Sequence, residues 1–97
     1  MEKMTRCPTH PGVFFRIQIL EENGISISRA AKALGLSRQT VSNLCNGHTP
    51  CTPDIAVRIA CAIDSNVGFW VNMQANYDSW IAENGEKPHV EKLLNAA

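Results

Sequence analysis

The sequence predicts a single all-α domain of five short helices, and three observations carry that prediction. Apolar residues recur at helical spacing in five separate segments. Each segment is introduced or closed by capping chemistry. No stretch of useful length alternates apolar and polar residues as a strand would.

Helix 1 is expected to open at Pro11, where a missing N–H costs nothing in a first turn. Val13, Phe14, Ile17 and Leu20 form its apolar stripe, and Asn23-Gly24 closes it. Helix 2 follows the cap Ser26 and runs to Leu34; helix 3 follows the cap Ser37 and ends at Asn46-Gly47. Val41, Leu44 and Cys45 mark the inner face of helix 3. Helix 4 begins Thr52-Pro53-Asp54, a cap, a first-turn proline and an acid that suits the helix dipole. Ile55, Ala56, Ile59, Ala60 and Ile63 are its stripe. Helix 5 begins near Asn66, carries Phe69, Trp70, Met73, Tyr77, Trp80 and Ile81 as its stripe, and ends at Asn84-Gly85. The expected core spans residues 9–84 of one 1–97 domain, leaving an 85–97 tail with a frayed helical turn at Val90 to Leu94.

The 97 residues allow one thin core, which burial in a dimer would supplement. No apolar run is long enough to span a membrane. Met1 to Cys7 mix Glu2, Lys3 and Arg6 and lack the apolar stretch of a signal peptide, so a cytoplasmic protein is expected. The cysteines at 7, 45, 51 and 61 form no CxxC pair and are expected to be reduced.

The net charge of zero hides an asymmetry. Asn23 to Pro53 contains Arg29, Lys32 and Arg38 and no acid, a net +3. From Asp54 onward six acids outnumber Arg58, Lys87 and Lys92, a net −3. Only the basic stretch suits a phosphate backbone.

That stretch contains the pattern of a helix-turn-helix at about Ser26 to Asn46. Two helices crossing over a tight turn need a small residue at the crossing, here Ala31. Four positions later they need a residue tolerant of positive φ, here Gly35. Leu34, Leu36, Val41 and Leu44 then tie the two helices to the core. An ordinary αα-hairpin would explain Ala31 and Gly35 alone, but not the whole register within an acid-free window. The outward face of helix 3 would read bases with Arg38, Gln39, Thr40, Ser42, Asn43 and Asn46. Arg bridges guanine O6/N7, and Gln or Asn bridges adenine N6/N7. Ser28, Arg29, Lys32, Ser37 and His48 are the expected phosphate contacts. One such unit reads too few base pairs to select a site, which implies a homodimer on a palindromic double-stranded operator. Phe69, Trp70, Met73, Tyr77, Trp80 and Ile81 are the expected dimer or partner surface.

Cys45-x2-His48-x2-Cys51, with Cys7-x2-His10, lacks the tighter paired spacing of a zinc site. Cys45 and Cys61 are better used as apolar residues of helices 3 and 4, so no metal and no cofactor is expected. No nucleophile-and-base pattern or phosphate-binding glycine loop marks an enzyme.

His10-Pro11-Gly12, the helix-turn-helix ending in Ser37 to Gly47, Thr52 to Ala60, and Phe69 to Asp78 together resemble the HigA (VapI) antitoxins. These belong to the lambda-repressor-like Xre superfamily, and the similarity covers about residues 9–82. The resemblance implies a five-helix repressor fold, a homodimer, and a HigB/RelE-like ribonuclease toxin as partner, with repression of the shared operon. Two positions depart from the pattern: Ile27 stands where many relatives carry Gln, and Gly68 where Glu is common. The residues leave open a solitary Xre-type regulator without a toxin.

Overall fold

The computed structural model describes residues 6–95, so the expectations for residues 1–5 and 96–97 lie outside it. Helices account for the secondary structure of the described residues. Helix α1 covers 11–21, α-helical over Pro11–Phe14 and π-helical over Phe15–Glu21. It is followed by α2 (Ile27–Leu34), α3 (Arg38–Cys45), α4 (Pro53–Ile63) and α5 (Val67–Asn84). No helix is long and apolar enough to cross a membrane.

Every helix starts on a side-chain cap. His10 Nδ1 accepts from Gly12 N at 2.9 Å, Ser26 Oγ from Arg29 N at 3.0 Å, and Ser37 Oγ from Thr40 N at 3.0 Å. Thr52 Oγ1 accepts from Ile55 N at 3.3 Å, and Asn66 Oδ1 from Phe69 N at 2.7 Å. These bonds satisfy amides that a first turn otherwise leaves unpaired. They explain why the starts of α2 to α5 fall where the caps place them.

The core gathers Phe15 and Leu20 from α1, Ala30, Ala31 and Leu34 from α2, and Val41, Leu44 and Cys45 from α3. Cys51 before α4, Ile55, Ala56, Ile59 and Ala60 of α4 and Trp70 of α5 complete it. Trp70 is its largest member: its ring lies edge-on to Phe14 and Phe15, and its Nε1 donates to Ser65 Oγ at 2.8 Å. A buried indole needs that polar partner as well as its apolar contacts.

Three expectations are corrected here. Beyond Pro11 and Gly12, the buried residues of α1 are Phe15 and Leu20, and Ile17 is exposed. The expected stripe presumes a 3.6-residue period. In a π-helical turn bonds run from i to i+5, so residues five apart share a face and Ile17 rotates outward. In α4, Cys61 is exposed; the apolar stripe is complete without it, and Cys51 is the second buried thiol, beside Cys45. Burial pushes the Cys51 thiol up to about 11 and raises that of Cys45. In the tail, residues 86–95 form no helix, and Val90, Leu93 and Leu94 stand in solvent. A single turn with nothing to pack against cannot offset its nucleation cost.

Candidate nucleic-acid interface

Helices α2 and α3 pack across the turn at Gly35, whose φ of +69° needs a residue without a side chain. Ala31 is buried at the crossing, Leu34 beside it, and Leu36 is half-buried after the turn. Val41 and Leu44 are completely enclosed. The requirements for a helix-turn-helix are thus met in space by the residues that the pattern named.

With Val41, Leu44 and Cys45 turned inward, α3 presents Arg38 and Gln39 to solvent, as does Asn46 at its C-cap. Thr40, Ser42 and Asn43 are half-buried along the same helix. Two internal hydrogen bonds order this face. Gln39 Nε2 donates to Asn43 Oδ1 at 3.0 Å, and the Thr40 and Ser37 hydroxyls share a bond of 2.7 Å. Ser28, Arg29 and Lys32 on α2, with Ser37 and His48 flanking α3, are all exposed. Among the described residues the ion pairs are Arg16–Glu21 and Arg58–Asp54, so Arg29, Lys32 and Arg38 keep their charge uncompensated by any bonded carboxylate. Ile27 packs against the core as a partly buried residue of the first turn of α2.

Sequence reasoning missed the two arginines that hold this unit. Arg58 of α4 donates from Nη1 to the carbonyls of Leu34 at 2.8 Å and Gly35 at 3.2 Å, and from Nε to Asp54 Oδ2 at 2.9 Å. Arg16 of α1 donates from Nε to the carbonyl of Cys45 at 3.2 Å and from Nη1 to Glu21 Oε2 at 2.8 Å. One guanidinium therefore caps the carboxyl end of α2 and the other that of α3. Those ends carry orphan carbonyls and partial negative charge, which a cation satisfies on both counts. The Asp54-x3-Arg58 spacing was the visible signal for one of them.

Gly12 was also missed as a structural requirement. A Cβ there would lie 1.8 Å from the carbonyl oxygen of Leu44, so α1 crosses α3 with backbone against backbone. His10 is buried beside that crossing, edge-on to Tyr77 with ring centroids 5.0 Å apart. Burial lowers its pKa, against the Thr49 backbone hydrogen bond and the Asp78 charge, which favour protonation.

On α5 the expected surface set divides. Trp70 belongs to this chain's own core and is withdrawn from any interface. The amphipathic pattern marked it as apolar but could not tell inner core from partner surface. Phe69 and Ile81 are exposed, and Met73, Tyr77 and Trp80 are half-buried. Gln74, unnoticed in sequence, is buried instead: its Oε1 accepts from Cys51 N at 2.7 Å and its Nε2 donates to Asp78 Oδ1 at 2.8 Å. It fastens α5 to the loop after α3.

The comparisons agree with this geometry. The helix-turn-helix family matches residues 17–70. The HTH-type transcriptional regulator YbaQ of Escherichia coli (strain K12) is 36% identical over 91 residues, covering 94% of this chain and 80% of the relative. Antitoxin HigA-1 of Vibrio cholerae serotype O1 is 37% identical over 84 residues, covering 87% of this chain and 79% of the relative. The solved structure of Pseudomonas aeruginosa antitoxin HigA with the higBA promoter superposes with a TM-score of 0.75 at 33% identity, covering 90% of this chain and 99% of that one. With a helix-turn-helix in both sequence and space, this chain belongs to the helix-turn-helix family, among relatives named as HigA antitoxins and HTH-type transcriptional regulators.

Proposed function

We propose that this chain is a sequence-specific DNA-binding repressor and the antitoxin of a toxin–antitoxin pair, working in the cytoplasm as one 1–97 domain. The observation that carries the reading is the outer face of α3. It offers Arg38, Gln39, Ser42, Asn43 and Asn46 and no acid, in a chain that superposes on an antitoxin solved with its promoter. Thr40 is the remaining member of the base-reading set, its hydroxyl shared with Ser37. Ser28, Arg29, Lys32, Ser37 and His48 flank that face and are the phosphate set.

The protein acts as a homodimer, two recognition helices lying about 34–36 Å apart on a palindrome. Phe69, Met73, Tyr77, Trp80 and Ile81 of α5 form the shared surface, because a 97-residue core leaves them partly or fully exposed. The protein partner is a HigB/RelE-like ribonuclease. Such a toxin must be basic to hold RNA, and the net −3 stretch from Asp54 onward is a complementary charge.

Co-expression with the adjacent small open reading frame tests the reading. The neighbour alone should arrest growth and cleave messenger RNA, and this chain should restore growth and co-purify with it. The upstream DNA should shift with the purified chain, and light scattering should give a dimer at tens of micromolar. A harmless neighbour beside a specific DNA shift leaves a solitary regulator.

A further inference from the structure

The bond between Gln39 Nε2 and Asn43 Oδ1 changes what α3 offers to DNA. A carboxamide has two N–H donors and a carbonyl with two lone pairs. An unrestrained glutamine can turn its amide over and offer either end to a base edge. Here one donor of Gln39 is committed to Asn43, one turn along the same helix. Gln39 keeps its whole carbonyl and one N–H. Asn43 keeps both N–H donors. The Thr40 hydroxyl on this face is occupied too, bonded to that of Ser37 at 2.7 Å.

From this accounting we infer that Gln39 and Asn43 read DNA as one unit, in which Gln39 selects adenine and Asn43 fixes the orientation of its amide. Adenine shows an amino donor (N6) beside an acceptor (N7) in the major groove, which the free carbonyl and the remaining N–H of Gln39 match. Guanine shows two acceptors there, N7 and O6, and would set an acceptor against the Gln39 carbonyl. An unpaired acceptor in a desolvated contact is costly, so the held amide rejects guanine where a free one would adapt. The donors of Asn43 remain for an acceptor on the adjoining base pair, thymine O4 or a purine N7. Asn43 is thus a positioning residue for its neighbour as well as a reader.

This inference rests on α3 being the base-reading helix, and the experiment separates the two. A random duplex library is selected with the full chain and with the variants Gln39→Ala, Asn43→Ala and Asn43→Asp, and the base preference is measured at every position. The chain itself should prefer adenine over guanine at one position by about 10–100-fold, the range of one bidentate contact. Gln39→Ala should abolish that preference. Asn43→Ala should reduce it by about fivefold or more, a coupling typical of residues in contact. Asn43→Asp keeps the accepting oxygen and should retain the adenine preference, while its negative charge weakens binding to all sequences. Circular dichroism confirms that each variant is folded. An adenine preference untouched by Asn43→Ala overturns the coupling and leaves Gln39 reading alone. A profile untouched by Gln39→Ala overturns the base-reading assignment, and the inference with it.

Discussion

Arg58 on α4 donates to the carbonyl of Leu34, the last residue of α2, at 2.8 Å. The same nitrogen reaches the Gly35 carbonyl, and Nε pairs with Asp54. The turn of the helix-turn-helix is therefore fastened to α4. Arg58→Ala leaves a part-buried carbonyl without a partner, at a cost of about 1–3 kcal/mol. Asp54→Asn removes a solvent-exposed ion pair and a first-turn charge that suits the helix dipole, together costing about 1 kcal/mol or less. Chemical denaturation of the two variants should show that order. Equal losses would place the contribution in the ion pair instead of the carbonyl cap.

The crossing of α1 and α3 yields a sharper expectation. Gly12→Ala drives a methyl group to 1.8 Å from the Leu44 carbonyl oxygen, an atom of the backbone that no rotamer change relieves. The helices must separate beside the completely buried Leu44 and Val41. Overpacking of this kind costs about 1–3 kcal/mol, and for a domain of this size Tm falls by about 4–8 °C per kcal/mol. Gly68→Ala is the control: nothing lies nearer than 3.5 Å to that Cβ, and alanine favours a helix. Thermal melts should move in opposite directions.

Much of this architecture is legible in the chain because it is encoded locally. Ser26, Ser37, Thr52 and Asn66 each cap a helix through a bond to an amide three residues on, and that spacing is visible without tertiary knowledge. The helix-turn-helix is equally local, from Ala31 through Gly35 to Leu44. What escaped depends on partners far away in sequence. Arg16 finds the Cys45 carbonyl across 29 residues, Arg58 finds Leu34 across 24, and Gln74 finds Cys51 across 23. A polar residue on an amphipathic helix reads as solvated unless the orphan group it satisfies is known. The phase error at Ile17 has another origin, since apolar periodicity presumes the α-helical repeat that Phe15–Glu21 abandons.

His10 makes stability depend on pH. Its neutral Nδ1 accepts from Gly12 N, and burial lowers its pKa below the usual histidine value. The unfolded state, with an ordinary pKa near about 6.5, then binds a proton more readily than the native state. By linkage, stability is full above that pH and falls as pH drops through the unfolded pKa toward the depressed folded one. Asp78 and the Thr49 carbonyl oppose the shift but do not reverse it. Melts between pH 7.5 and 5 on the order of half a unit apart should show Tm declining below about pH 6.5. His10→Asn keeps a capping oxygen without titrating, so its decline over that range should be shallower. A parallel decline would assign the acid sensitivity to other groups.

Lys32 and Gln39 stand on adjoining helices, and their substitutions should separate attraction from recognition. Lys32 is exposed in the last turn of α2, and among the described residues it makes no ion pair. If Lys32 is the phosphate contact proposed above, Lys32→Gln should weaken binding to upstream and random DNA by about the same factor. Each phosphate contact releases counterions, so the slope of log affinity against log salt should become shallower by about 0.9 per protomer. The loss of helix-dipole stabilisation is about 0.3–1 kcal/mol, small enough for the variant to remain folded. Gln39→Ala has the opposite signature: about 1–3 kcal/mol lost on the operator, little lost on random DNA, and an unchanged salt slope. Titrations of both variants on both DNAs at several salt concentrations measure all of this. If Lys32→Gln changes operator binding alone at constant slope, the lysine is reading a base, and α2 lies deeper in the groove than a phosphate-bound helix.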